Sequence, residues 1–242
     1  MTTDVVAHTV KAFDADLAAL SRMISELGDL VDKELRDAVE AVIHSDGERA
    51  KAVIASDQAT DSLQRQIEDH AITLIARRQP VAYDLRLIVA AWETAIELRR
   101  VGDLAKGIAE HTIEIGGNHT MPEQMKGLRR IARAVLRRLR EAVESLVQGD
   151  AAKAERLWRS DHEIDSIYMS LCRELLTYTM AETTSSPSAI SLLFCAKSIE
   201  SIGDNITNIT DAVHYVVHGQ RINGGAGEPS GLGSLSLPAN LV

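Results

Sequence analysis

Ile199-Glu200-Ser201-Ile202-Gly203-Asp204-Asn205-Ile206-Thr207-Asn208-Ile209-Thr210-Asp211-Ala212-Val213-His214-Tyr215-Val216 decides the fold. Its branched apolar residues fall at 199, 202, 206, 209, 213 and 216, steps of three and four that only a helix places on one face. At about 100° per residue, Glu200, Asp204, Asn208 and Asp211 lie on the opposite side. A helix so divided buries its isoleucines and turns its acids away from the core. Earlier in the chain, Leu98, Val101, Ala105 and Ile108 repeat the stripe, opposite Arg99, Asp103, Glu110 and Glu114. In both helices a glycine, Gly102 or Gly203, precedes the aspartate. Glycine costs about 1 kcal/mol against alanine inside a helix, so close approach of a neighbouring helix is expected there.

The rest of the chain has the same character. Helical patterns cover about 8–44, 47–78, 81–116, 121–148, 151–182 and 187–218, with breaks at Ser45-Asp46-Gly47, Pro80, Gly116-Gly117-Asn118, Gly149-Asp150 and Pro187. No segment alternates with period two, which argues against strands. Three long helices followed by three more imply an all-α fold of two tandem, pseudo-repeated three-helix bundles, at 1–118 and 119–218. The segment 219–242, rich in Gly and Ser, lacks an apolar period and is expected to be a flexible tail.

Composition excludes several classes of function. The 242 residues carry a net charge of −9 and only eight aromatics, a poor basis for nucleic-acid binding. No apolar run approaches the roughly 18–20 residues of a membrane span, and no signal peptide is visible. Cys172 and Cys195 show no metal or redox spacing and are expected to be reduced core thiols of a cytoplasmic protein. There is no phosphate-binding loop, nucleotide fingerprint or nucleophile elbow, so no enzyme activity is expected. Ferritin-like oxidases need Glu-x-x-His pairs facing the core, and the chain has none.

Two charged patterns stand out. Asp57 and Asp61, with Arg99 and Asp103, are echoed in the second half by Asp161 and Asp165, with Glu200 and Asp204. Side chains four apart share one helix face, where like charges repel by roughly 0.2–0.5 kcal/mol. The repetition suits either a shared cation or a duplicated solvated face. Carboxylates are hard donors suited to Mg²⁺, Mn²⁺, Ca²⁺ or oxidised iron. The second pattern is the basic run Lys126, Arg129, Arg130, Arg133, Arg137, Arg138 and Arg140. It either covers acidic neighbours within the bundle or, through Arg129, Arg133, Arg137 and Arg140, docks an acidic partner or anionic lipid headgroups.

Arg78-Gln79-Pro80-Val81-Ala82-Tyr83-Asp84-Leu85-Arg86 and Glu97-Leu98-Arg99-Arg100-Val101-Gly102-Asp103 together resemble signatures of the PhoU family of phosphate-signalling proteins. The resemblance spans about 8–218. It implies multinuclear metal clusters, of iron or zinc, on the acidic motifs: Asp57, Asp61 and Asp103 at one site, and Asp161, Asp165, Glu200 and Asp204 at the other. It also implies a homodimeric negative regulator acting between a PstB-type transporter ATPase and a PhoR-type histidine kinase. Arg99 departs from the family pattern, replacing an acidic position. Arginine offers no lone pair to a metal, so the first site is expected to be impaired. A metal-free helical scaffold is the alternative reading.

Overall fold

In a computed structural model the described residues are 2–115, 121–160, 162–181 and 186–222. They form seven helices: α1 Thr2–His44, α2 Gly47–Arg78, α3 Ala82–Ile115, α4 Pro122–Gln148, α5 Ala151–Arg159, α6 His162–Ala181 and α7 Ser186–His218. No strand occurs among them. Helices α1–α3 pack together, as do α4–α7. The two bundles join lengthwise through α3 against α7 and α1 against α4, over one continuous apolar core.

The two repeats start their second helical limb with the same device. Asp46 accepts from the Arg49 backbone N–H at 3.0 Å, and Asp150 from that of Lys153 at 2.9 Å, each satisfying a free amide of the first turn. Gly149 ends α4 at φ 67°, a left-handed turn that glycine adopts without steric cost. The isoleucine stripe of α7 lies fully inside, as do Leu98, Val101, Ala105 and Ile108 of α3.

One boundary differs from the sequence expectation. The single helix read over 151–182 is two, α5 and α6, parted after Arg159. Arg138 of α4 is buried there and donates to the Leu157 carbonyl at 2.8 Å, the Ser160 carbonyl at 2.6 Å and Ser160 Oγ at 2.9 Å. A guanidinium on the last carbonyls satisfies acceptors that a continuous helix would offer to its own amides. Neither glycine nor proline marks the place, so the break is tertiary in origin. In the first repeat α2 runs unbroken.

Both glycines of the acidic motifs meet neighbours closely. A Cβ on Gly102 would stand 3.1 Å from Thr60 Cγ2 and 3.3 Å from Glu34 Oε2; one on Gly203 would stand 3.2 Å from Ile164 Cδ1. Close helix approach therefore accounts for both. The start of the expected tail is also engaged: Arg221 reaches Glu93 at 2.8 Å and Asp211 at 3.0 Å. Residues 223–242 lie outside the described residues.

Candidate functional site

The first acidic face is assembled from α2 and α3. Gly102 lets α3 approach Thr60 of α2, which places the Arg99 and Asp103 turn beside Asp57 and Asp61. Arg99 Nε donates to Asp61 Oδ1 at 2.6 Å and its NH1 to Asp103 Oδ2 at 3.0 Å. Lys106, one turn further, donates to Asp57 Oδ2 at 2.8 Å. Each of the three carboxylates therefore has a cationic partner within the chain. The Asp61 hydrogen bond raises the Arg99 pKa, and the Asp57 hydrogen bond raises that of Lys106. Burial is the larger influence on Asp103 and lifts its pKa; Arg99 opposes it.

Glu34 lies beneath this cluster. It is buried, accepts from Thr60 Oγ1 at 2.9 Å, and its Oε2 has no hydrogen-bond partner among the described residues. Burial raises its pKa, with Asp57 adding to the effect and the Ser56 and Thr60 hydroxyls opposing it. Glu34, Thr60 and Lys106 were not among the residues singled out from sequence. Lys106 was detectable, standing three residues after Asp103; Glu34 is a long-range neighbour and was not.

In the second repeat, Asp165 lies on α6, with Glu200 and Asp204 on α7; Asp161 is outside the described residues. Lys197 pairs with Glu200 and also lies over the Tyr168 ring, 5.8 Å from its centre. Burial, helped by Cys172 and Glu200, pushes the Tyr168 phenol up to about 12. Ser201 Oγ donates to Glu200 at 3.4 Å.

At the first site the donor chemistry does not suit a multinuclear cluster. Every first-site carboxylate already accepts from an internal ammonium or guanidinium, which competes for its lone pairs and repels a metal ion placed beside it. Glu200 carries Lys197 in the same way. Among the described residues no three His, Cys, Asp or Glu side chains gather in an arrangement able to hold a metal.

The basic run divides into two sets. Arg140 holds the buried Asp32 of α1 through Nε at 2.7 Å and NH2 at 3.1 Å, and Arg129 reaches Glu40 at 3.4 Å. With Arg138 at the α5 terminus, these join α4 to its neighbours. Lys126, Arg130, Arg133 and Arg137 instead form an exposed stripe beside α6. Arg133 has no ion-pair partner among the described residues and Arg137 has only Glu163 at 3.7 Å, whereas Arg129 and Arg140 are engaged with α1.

The RQPVA-x-DLR stretch is a tight corner between α2 and α3. Gln79 and Ala82 take left-handed φ values of 49° and 48°, costing roughly 1–2 kcal/mol each for residues with a Cβ. Arg78 pins the corner to α1 through Asp16 at 2.8 Å, and Arg86 pins it to α7 by donating to the Val216 carbonyl at 3.0 Å. Between those anchors Val81 is 75% exposed, with Tyr83 and Leu85 also on the surface. Trp92 is partly buried and packs against the core. Cys195 is buried and Cys172 half-buried, both as free thiols.

An all-helical tandem repeat with paired acidic faces and an anchored, strained corner defines a class of two-bundle helical proteins. The PhoU domain matches residues 24–112 and 128–213, one copy in each repeat. The chain is 41% identical over 218 residues to the "Phosphate-specific transport system accessory protein PhoU homolog" of Rhizobium meliloti (strain 1021), covering 90% of this chain and 92% of that one. Among solved structures, PhoU from Pseudomonas aeruginosa superposes with a TM-score of 0.81 at 32% identity, covering 86% of this chain and all of that one. The "phosphate transport system regulatory protein PhoU" of Streptococcus pneumoniae superposes with a TM-score of 0.80 at 27% identity, covering 87% and 99%. The chain belongs to the PhoU family.

Proposed function

We propose that this protein is a regulatory accessory of a phosphate-specific transport system and a negative regulator of the phosphate-starvation response. It couples a PstB-type transporter ATPase to a PhoR-type histidine kinase, acting by binding rather than turnover, as a homodimer on the cytoplasmic side of the transporter. The observation that carries this is the match to both repeats and to a relative of nearly equal length whose name states association with that transport system. No helix among the described residues is long and apolar enough to cross a membrane, in keeping with a peripheral adaptor. The exposed Val81 and Tyr83, on a corner anchored from both sides, supply a rigid contact for a partner at low ordering cost. Regulation follows if the adaptor binds one state of the kinase more tightly than the other, since only differential affinity shifts a population.

The test is a starvation-promoter reporter in a deletion strain grown at high phosphate. Expression should be constitutive and should return to repression on complementation. A silent promoter in a strain without a second copy would refute the regulatory role.

A further inference from the structure

We propose that the groove between α4 and α6 is the docking site for an acidic helical segment of a partner protein. This deepens the adaptor function proposed above, and rests on it, by naming a surface and the chemistry of what it takes.

The groove encloses about 540 Å³ and is lined by Lys126, Arg130, Arg133 and Arg137 of α4, with Glu163 and Ile167 of α6 opposite. The four cations are spaced four, three and four residues apart, one continuous stripe of about 16 Å at 1.5 Å per residue. Arg130 and Arg133, at its centre, have no ion-pair or hydrogen-bond partner among the described residues. Lys126 touches only the exposed Glu123, at 2.7 Å. Two adjacent arginines left without an internal counter-charge are unusual in a protein of net charge −9, the outer two cations being paired only with the half-exposed or exposed Glu163 and Glu123. The stripe's neighbours on the same helix, Arg129, Arg138 and Arg140, all have partners inside the bundle. The stripe is therefore the part of the basic helix that internal packing leaves over.

Its geometry selects the ligand. At Gly127 α6 comes directly against α4, the Cβ position lying 2.8 Å from Leu171. A separate recess of about 660 Å³ beside Glu123, Arg173 and Glu174 lies beyond that contact, so the length of the site is that of the cationic stripe. The site is elongated. A single phosphate is short beside a stripe of about 16 Å and cannot pair with the cations at both of its ends. An anionic bilayer favours basic faces with apolar side chains to insert; here the cations border a recess whose apolar lining is Ala134 and Ile167. A helix with glutamates at three- and four-residue steps presents carboxylates about 5–6 Å apart, in register with cations spaced the same way. Laid along α4 and α6 it would use the helix-in-groove mode. The chain supplies its own example at one end, where Glu163 lies 3.7 Å from Arg137.

The experiment measures anisotropy of a labelled amphipathic peptide with glutamates at helical three–four spacing, titrated with the intact protein. Binding should weaken steeply with salt, because exposed charges are screened over about 8–10 Å near physiological ionic strength. Arg130→Glu with Arg133→Glu should lower affinity about tenfold or more, whereas Lys51→Glu on the distant α2 should not. Both arginines are exposed, so the double variant should melt like the wild type. If it does not, the charge-swapped peptide with lysines for glutamates serves instead: it should bind the double variant better than the wild type. The proposal fails if the glutamate peptide does not bind, or if the double variant binds it equally well. It fails also if sodium tripolyphosphate or phosphatidylglycerol vesicles engage these arginines while the peptide does not. A failed peptide titration leaves the reporter test of the regulatory role untouched, and a silent reporter leaves the peptide measurement standing.

Discussion

Replacing Arg99 tests whether the first acidic face is held by an internal cation or made for a metal. Arg99→Met keeps the stem and removes the hydrogen bonds to Asp61 and Asp103. Charge-assisted hydrogen bonds reach roughly 1.5–3 kcal/mol when desolvated. Here Arg99 is 40% and Asp103 44% exposed, so solvent screening brings the pair down to about 1 kcal/mol. Residual repulsion among Asp57, Asp61 and Asp103 adds about 0.5 kcal/mol. The total, about 1.5 kcal/mol, corresponds to a fall in Tm of about 3–6 °C for a chain of this size. Arg99→Glu goes further by adding a carboxylate and deleting the cation, which should create a divalent-ion requirement. Both variants are best measured in a Glu200→Ala/Asp204→Ala background, so that the second repeat contributes little. Thermal melts with and without EDTA then separate the cases: the parent should be indifferent to chelator, and the Arg99→Glu protein should lose stability and regain it with Mn²⁺ or Zn²⁺. Elemental analysis should show that whatever iron or zinc the wild type carries depends on Glu200 and Asp204 and not on Asp103. An Arg99→Met protein with unchanged Tm, or a parent that loses several degrees to EDTA, would refute the internal-cation account.

Three further outcomes are expected. Arg138→Ala leaves the Leu157 and Ser160 carbonyls without their donor and should cost about 3 kcal/mol by denaturant titration, with faster hydrogen exchange at the start of α6; exchange unchanged there would show that the break needs no guanidinium. Gly102→Ala should cost about 1–2 kcal/mol, because Thr60 is hydrogen-bonded to Glu34 and its short side chain cannot yield, whereas Gly203→Ala meets Ile164 first at Cδ1, the far end of the side chain, and should change stability by less than about 0.5 kcal/mol; equal losses would contradict that difference. Glu34 has its pKa raised above the ordinary 4.5, so the folded state holds its proton more tightly than the unfolded one. Its favourable contribution is complete below pH 4.5 and is lost as pH rises through the higher folded value. Glu34→Gln should therefore gain on the wild type as pH rises from about 4 to 7, and a difference independent of pH would show that the carboxyl does not titrate abnormally.

Much of the architecture was legible in local pattern. Helix α2 was read over the residues the structure gives it, because Asp46 and Pro80 bound it with side-chain capping and a missing amide, both properties of single residues. The acidic faces were legible as faces, since helical periodicity alone sets which side a residue takes. Their chemistry was not. Reading Asp57, Asp61 and Asp103 as ligands took account of Arg99 but missed Lys106, whose ammonium reaches across to α2, and Glu34, which arrives from α1. Likewise Arg129, Arg133, Arg137 and Arg140 looked equivalent along the chain. Packing separates them, because α1 offers Glu40 to Arg129 and Asp32 to Arg140, while Arg133 has no ion-pair partner among the described residues.

The sequence by itself determined the helical class, the apolar stripes, the duplication and the membership of the family, because each depends on spacing within about two turns or on a motif read along one stretch of chain. Tertiary structure alone decided where α5 ends, which cations neutralise which carboxylates, and which arginines are left facing solvent. Those outcomes depend on charges and carbonyls brought together from distant parts of the chain. Coulomb and hydrogen-bond energies fall off over a few ångströms in space, whatever the separation along the sequence.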